Sequence, residues 1–99
     1  MIDRSPRYTD VAKQNLKEIA KYTQQRWGRA QRVLYLQAIS AAMETLRIRP
    51  NTGRVVDGYE PLTHRFRSGS HFIYYRFDDL TLTVLMVLHI GMEPSLHLE

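Results

Sequence analysis

The chain has no cysteine among its 99 residues and no long apolar segment. The absence of cysteine excludes a disulfide framework, a cysteine zinc site and a thiol nucleophile, and it fits a reducing compartment. No apolar run approaches the ~20 residues that a membrane span requires. The polar N-terminal segment MIDRSPRYTD is unlike a signal peptide. We therefore expect a cytoplasmic protein without a membrane segment.

The sequence also lacks the ligand spacing that is typical of metal sites. Its four potential nitrogen ligands are His64, His71, His89 and His97. No two of them have the i, i+4 spacing of a helical ligand pair, and no cysteine accompanies them. Isolated histidines are more often surface or structural residues. The sequence therefore predicts neither a metal ion nor another cofactor.

No internal repeat, low-complexity tract or linker interrupts the chain. A length of 99 residues is typical of one domain, so we expect a single domain over residues 1–99. A chain of this size has a thin hydrophobic core, and a partner that covers more apolar surface would stabilise it.

Positive charge is concentrated in the first half of the chain. Residues 1–49 hold ten Lys and Arg against four Asp and Glu, a net of +6, whereas residues 50–99 hold four Arg against six acids, a net of −2. This asymmetry indicates that the first half faces an anionic partner, either nucleic acid or an acidic protein segment. A solvated helix surface is the simpler interpretation for isolated lysines.

Two helices are predicted after a short first strand that ends at residues 7–8. Thr9 is a good N-cap, apolar residues recur at a spacing of 3–4 over residues 10–26, and Gly28 ends the pattern. A second helix is expected over about residues 29–47, and Pro50 blocks its continuation. Its candidate inner positions are Val33, Leu34, Ala38, Ala41 or Ala42, Met43 and Leu46. The tight link predicts an antiparallel helical hairpin.

After Gly53 the pattern changes to that of strands. Residues 62–67 alternate, residues 68–70 form a turn sequence, residues 71–77 are rich in aromatics, and residues 80–89 give the most apolar strand. The fold class is therefore α+β, with a short N-terminal strand, the helical hairpin and a three-stranded antiparallel meander. The hairpin is expected to cover one face of the sheet.

Strand parity groups several cationic side chains on one side of this sheet. Arg65 and Arg67 share a face, opposite to His64 and Phe66. In the next strand Arg76 shares a face with Tyr74. One hypothesis is metal-independent RNA cleavage, in which Tyr74 or His89 acts in acid–base roles and Arg76 contacts the phosphate. The alternative is ordinary cross-strand packing by Arg and Tyr side chains.

A second hypothesis is partner binding. An open sheet edge can accept a strand from another chain. The helical hairpin offers a basic outer surface that consists of Lys13, Lys17, Lys21 and Arg32. A groove beside this surface would accommodate an acidic amphipathic peptide.

Four segments, in order, resemble the signature blocks of ParE toxins, which belong to the RelE/ParE superfamily of type II toxin–antitoxin systems. They are NLKEIAKYTQQRWG, PNTGR, RFRSGSHFIYYRF and VLHIGMEPSLHL. The last is the most specific, because the family tail has Leu-His, two residues, Met-Asp, three residues and His-Leu. Here Leu88-His89, Met92-Glu93 and His97-Leu98 occupy these positions. The residues Tyr8-Thr9-Asp10 depart from the Leu-Ser/Thr-Pro that the family often has.

This resemblance implies a RelE/ParE-like fold and a non-enzymatic inhibitor of DNA gyrase that a ParD-like antitoxin neutralises. The expected gyrase-facing residues are Arg54, Arg65, Arg67, Arg76, His89, Met92 and His97. The expected antitoxin-facing residues are Lys13, Lys17, Lys21, Trp27 and Arg32. A homodimer and a toxin–antitoxin hetero-oligomer are both compatible with the family. Glu99, after the matched tail, is either native or the start of a purification tag.

Two alternatives remain within the same resemblance. A RelE-type, ribosome-dependent mRNA endonuclease would use Arg76, His89 and Tyr74 as catalytic residues. A degenerate relative would bind its antitoxin and lack toxicity.

Overall fold

Five strands and two helices follow one another in the computed structural model, which describes residues 3–92 and 94. They are β1 (Ser5–Tyr8), α1 (Asp10–Trp27), α2 (Arg29–Ile48), β2 (Arg54–Val56), β3 (Thr63–Ser68), β4 (His71–Phe77) and β5 (Thr81–His89). A single 3₁₀ turn, Pro50–Thr52, follows α2. The architecture confirms the predicted α+β class.

The helices begin and end where the cap residues predict. The Thr9 hydroxyl accepts a hydrogen bond from the Ala12 amide at 3.0 Å, which satisfies one free amide of the first turn. Gly28 separates the helices with a φ of +92°, and its amide donates to the carbonyl of Gln24 at 2.9 Å. A residue with a Cβ is strained at this φ, so glycine permits the sharp reversal between α1 and α2.

The sheet has one strand more than predicted. Its order is β1-β5-β4-β3-β2, with β1 parallel to β5 and all other pairs antiparallel. The added strand, β2, has only three residues and pairs with β3. Three residues are too few to show an alternating pattern, so this strand is recognisable only through its partner.

Both helices pack on one face of the sheet and enclose the main core. From the sheet the core takes Ile73, Tyr75, Leu82, Val84 and Val87. Helix α2 contributes Met43 and Leu46, as predicted, together with Ile39, whereas the predicted inner residues Val33, Leu34 and Ala38 are exposed. The first half of the helix is rotated relative to the prediction, because the stripe that includes Tyr35, Ile39 and Met43 faces the sheet.

A buried tyrosine joins the sheet to the segment after α2. The Tyr75 hydroxyl donates to the carbonyl of Pro50 at 2.6 Å and accepts from the amide of Gly53 at 3.1 Å. Burial raises the pKa of Tyr75 to about 12. A Cβ at Gly53 would overlap the Tyr75 hydroxyl and lie 2.6 Å from the Arg65 carbonyl oxygen. Glycine is therefore required at position 53 by close approach.

The other face of the sheet carries a smaller apolar cluster. Tyr74, Met86 and Leu88 are buried there, and Phe72, Val56 and Leu85 pack against them. Within residues 3–92 and 94, no helix has the length and apolar character needed to cross a membrane.

Candidate functional site

Arginines from four strands share the face of the sheet that the helices do not cover. Arg54 lies directly opposite Arg65, and the same row continues to Tyr74. Arg67 follows Arg65 by two residues in β3. Arg76 of β4 pairs with Thr83 of β5, and Thr83 pairs in turn with Arg7 of β1. The predicted grouping by parity is confirmed. Arg7 is an addition that the sequence did not indicate, because its position depends on the parallel pairing of β1. We call this set the arginine face: Arg7, Arg54, Arg65, Arg67 and Arg76.

Three of the five guanidinium groups of the arginine face are held by neutral neighbours. Arg65 stacks over the Phe72 ring at 4.1 Å. Arg67 Nε donates to the Gly69 carbonyl, and Arg76 Nε donates to Thr63 Oγ1, both at 3.0 Å. In the described part of the chain, ion pairs form only at Arg47, with Asp3 and Glu44. The arginine face therefore has positive charge without a carboxylate within ion-pair distance among those residues.

A groove of about 1010 Å³ lies on the opposite side, between the helical hairpin and the end of the sheet. We call it the hairpin groove, and its rim includes Tyr22 and Trp27, which are 63% and 64% exposed. Its floor and walls include Ile19, Tyr35, His71, Val87, His89 and Met92. Exposed aromatic side chains beside a concave surface are typical of a binding site for another chain.

A hydrogen-bond network at the base of the groove fixes His71, which in turn lies beside His89. Tyr35 Oη lies 2.5 Å from His71 Nδ1 and accepts from the Ser70 amide at 2.9 Å. His71 lies directly opposite His89 across the strands, with ring centroids 5.6 Å apart. Burial, and secondarily the neighbouring His89, lowers the pKa of His71. The neutral form of His71 is therefore favoured.

No pattern in the sequence indicates the contribution of Tyr35. The Gly69-x-His71 turn is recognisable as a motif, but Tyr35 lies on a helix 36 residues away from His71. A Cβ at Gly69, whose φ is +60°, would lie 2.8 Å from the Tyr35 ring. Glycine at position 69 thus permits both the turn and the close packing of this tyrosine.

The three residues considered for RNA cleavage do not converge. Tyr74 and Arg76 belong to the open side of the sheet, and Tyr74 is 1% exposed. His89 has the parity of Val87 and lines the hairpin groove on the helix side. The sheet therefore separates His89 from the other two.

The predicted basic surface of the hairpin is present on α1. Lys13, Lys17 and Lys21 recur every four residues and are exposed. Lys17, Lys21 and Arg32 line a cleft of about 390 Å³ between the helices. Like charges at i, i+4 destabilise a helix slightly, so an acidic partner would relieve this repulsion. Trp27 lies apart from these cations, at the rim of the hairpin groove.

The expected target-facing residues thus divide between two surfaces. Arg54, Arg65, Arg67 and Arg76 lie on the arginine face, whereas His89 and Met92 line the hairpin groove. His97 and Glu99 lie outside the described residues. Within the described ranges, no group of three or more His, Asp or Glu could hold a metal ion.

A family model described as the ParE toxin of the type II toxin–antitoxin system parDE matches residues 7–94. The chain belongs to the ParE family. It is 33% identical over 97 residues to Toxin ParE1 of Mycobacterium tuberculosis, covering 95% of this chain and 99% of the relative. It is also 32% identical over 87 residues to Toxin ParE1 of Caulobacter vibrioides, covering 88% and 90%. This ParE-family chain is thus a toxin of a type II toxin–antitoxin system.

Two solved structures share its fold. A chromosomal ParDE system from P. aeruginosa matches with a TM-score of 0.74 at 16% identity, over 89% of this chain and 97% of the other. The toxin–antitoxin complex RelBE2 from Mycobacterium tuberculosis matches with a TM-score of 0.56 at 20% identity, over 93% and 97%. These likenesses confirm the RelE/ParE-like fold that the resemblance implied.

Proposed function

We propose that this ParE-family toxin inhibits DNA gyrase in the cytoplasm by binding and without catalysing a reaction. The observation that supports a binding mode is the separation of the acid–base candidates. General acid–base catalysis requires its groups within hydrogen-bond reach of one substrate. His89 lies on the helix side of the sheet, whereas Tyr74 and Arg76 belong to the open side. A chain arranged in this way acts through its contact surfaces.

The contacts with the target, which is the complex of gyrase with its DNA, are assigned to two places. The arginine face supplies Arg54, Arg65, Arg67 and Arg76, whose charges no carboxylate of the described residues compensates. His89 and Met92 contribute from the end of β5, where Met92 is 44% exposed. His97, outside the described residues, is a further expected contact.

We assign the antitoxin to the helical hairpin, opposite the arginine face, where its site adjoins His89 and Met92 in the hairpin groove. A ParD-like partner would be acidic and partly disordered, and it would fold along the hairpin. Its acidic residues would contact Lys13, Lys17, Lys21 and Arg32, and Trp27 would anchor an apolar side chain at the hairpin groove. The solved structures that share this fold are toxin–antitoxin systems, which supports a toxin–antitoxin hetero-oligomer. A homodimer of the toxin is the alternative assembly, and a measurement of its mass in solution would test it.

Expression of the chain alone in a gyrase-sensitive bacterium tests the target. We expect growth arrest, filamentation and an induced DNA-damage response, with transcripts that stay intact. Purified toxin should inhibit supercoiling by purified gyrase. The variant Arg54→Gln/Arg67→Gln should weaken this inhibition, and Arg29→Gln/Arg49→Gln, which removes the same charge elsewhere, should not.

The same cultures test the alternatives. Ribosome-dependent transcript cleavage that precedes DNA damage would replace gyrase inhibition with the endonuclease function, and Arg76, His89 and Tyr74 would become its candidates. Unimpaired growth with full-length toxin accumulating would instead indicate a relative that only binds its antitoxin.

Truncation of the exposed tryptophan tests the antitoxin surface. Trp27→Ala should weaken binding of the co-expressed antitoxin by about 2 kcal/mol or more, because buried tryptophans dominate protein interfaces. Leu80→Ala is the control, since Leu80 is 78% exposed in the β4–β5 turn, away from the groove. Calorimetric titration that gives equal affinities for both variants would remove Trp27 from the interface.

A further inference from the structure

The arginine face holds repulsive charge that the free chain does not neutralise. Arg54 and Arg65 are direct cross-strand partners, and Arg67 follows on the same face of β3. Like charges directly opposite each other destabilise a strand pair. Among residues 3–92 and 94, none of these three guanidinium groups has a carboxylate within 4.0 Å. This arrangement favours an external anion that contacts several arginines together.

Three arginines of this face are also positioned before any ligand arrives. The side chain of Arg65 is held over the Phe72 ring, and the Nε atoms of Arg67 and Arg76 have partners within the β3–β4 hairpin. Their terminal N–H groups have no partner among residues 3–92 and 94, so they are available as donors. Arginine presents these donors in a planar fork that matches phosphate oxygens, and prior positioning reduces the entropy cost of binding.

The apolar part of the same face argues against a protein ligand there. Protein interfaces depend on exposed apolar or aromatic anchors at their centre. Here Tyr74, Met86 and Leu88 are 1%, 1% and 3% exposed, and Arg65 covers Phe72. Tyr74 is buried and Arg65 already occupies one face of the Phe72 ring, so stacking on unpaired bases is disfavoured as well. Phosphate contact along a duplex needs none of these anchors.

We propose that the arginine face binds the phosphate backbone of duplex DNA without reading its sequence. This inference deepens the proposed function and rests on it for its biological setting, because gyrase holds a DNA duplex that a toxin bound beside it would touch. Binding itself requires no gyrase and can be measured on the toxin alone.

Fluorescence anisotropy with a labelled duplex of about 20 base pairs tests the proposal across a salt series. The variant Arg54→Gln/Arg67→Gln removes two exposed guanidinium groups, and Arg29→Gln/Arg49→Gln removes two exposed ones outside the face. We expect the first variant to bind at least tenfold more weakly at low salt. Its slope of log affinity against log salt should fall by about 0.9 for each phosphate that is no longer neutralised. The control should keep the wild-type slope. Arg54→Lys/Arg67→Lys should also keep the slope, because the charges remain.

Three outcomes would overturn the proposal. They are no duplex binding at low salt, an equal loss of affinity in both Gln variants, and tighter binding to single-stranded DNA or RNA of the same length. Circular dichroism melting of each variant verifies folding. Gyrase inhibition that persists without duplex binding by the toxin would reject this inference and leave the proposed function standing. Duplex binding by a toxin that leaves gyrase active would support this inference and reject the proposed function.

Discussion

The two faces of the sheet differ in how their polar groups are paired. On the helix-covered face, the Tyr75 hydroxyl is hydrogen-bonded to the first residue of the 3₁₀ turn and to the residue that follows the turn, and the Tyr35 hydroxyl contacts His71 and Ser70. On the arginine face, cations stand beside one another without carboxylates among the described residues. The difference indicates that polar groups of the covered face maintain the fold, whereas the charge of the arginine face is left for the contacts that we propose for it.

Gly53→Ala should produce the largest change, because it disturbs the covered face at its tightest point. The added methyl group would overlap the Tyr75 hydroxyl and approach the Arg65 carbonyl oxygen. We expect a loss of about 3 kcal/mol in the free energy of unfolding, measured by urea denaturation. Gly91→Ala is the control, since its nearest contact would be His89 Nδ1 at 3.6 Å. Equal stabilities of the two variants would contradict the close approach.

Tyr75→Phe should have the next largest effect. It leaves the Pro50 carbonyl and the Gly53 amide without their partner in a buried site. The expected cost is about 2 kcal/mol, the penalty for unsatisfied buried polar groups. Tyr22→Phe, at a tyrosine that is 63% exposed, should change little in the same denaturation series.

Tyr35→Phe should cost about 1 kcal/mol, because the Ser70 amide that loses its acceptor is in an exposed residue and can bond to water. The His71 ring, released from the hydroxyl, should change its chemical shifts and its titration midpoint in NMR spectra. An unchanged midpoint would mean that Tyr35 does not set the environment of His71.

The stability of the covered face should decrease gradually as the pH falls, by less than in the three substitutions above. His64 is 4% exposed, stacks against Tyr75, and has a buried Nδ1 without a hydrogen-bond partner among the described residues. Burial lowers its pKa below the ordinary value of 6.5. The unfolded chain therefore binds the proton more readily, so stability is complete above about pH 6.5 and declines as the pH falls. In His64→Phe the melting temperature should decrease less between pH 7 and pH 5 than it does in the wild type.

The smallest change in stability is expected for a substitution on the arginine face itself. Arg54→Gln removes one member of a like-charged cross-strand pair, so its stability should stay within about 0.5 kcal/mol of the wild type or rise slightly. A loss of more than about 1 kcal/mol would show that Arg54 has a structural role and would weaken the contrast between the two faces.

Local signals predicted much of the fold. Thr9 and Gly28 delimited the first helix, and the predicted strand 71–77 coincides with His71–Phe77. The short strand β2 and the rotation of α2 were not predictable, because both depend on partners distant in the chain. Parity correctly placed Arg65 with Arg67 and Arg76 with Tyr74. The nuclease hypothesis instead grouped His89 with residues of the opposite face, since composition does not show on which side of a sheet a terminal residue lies.

The short first strand has a consequence for how the toxin behaves before it meets a partner. β1 pairs only with Thr81–Val84 of β5. Beyond it, Thr9 Oγ1 donates to the Leu85 carbonyl at 2.6 Å, and Asn15 Oδ1 accepts from the Val87 amide at 3.0 Å. Two side chains, one at the start of α1 and one within it, thus occupy hydrogen-bonding positions that a strand from a neighbouring molecule would need. The edge of the longest strand, β5, is in this way protected from edge-to-edge aggregation without an additional paired strand.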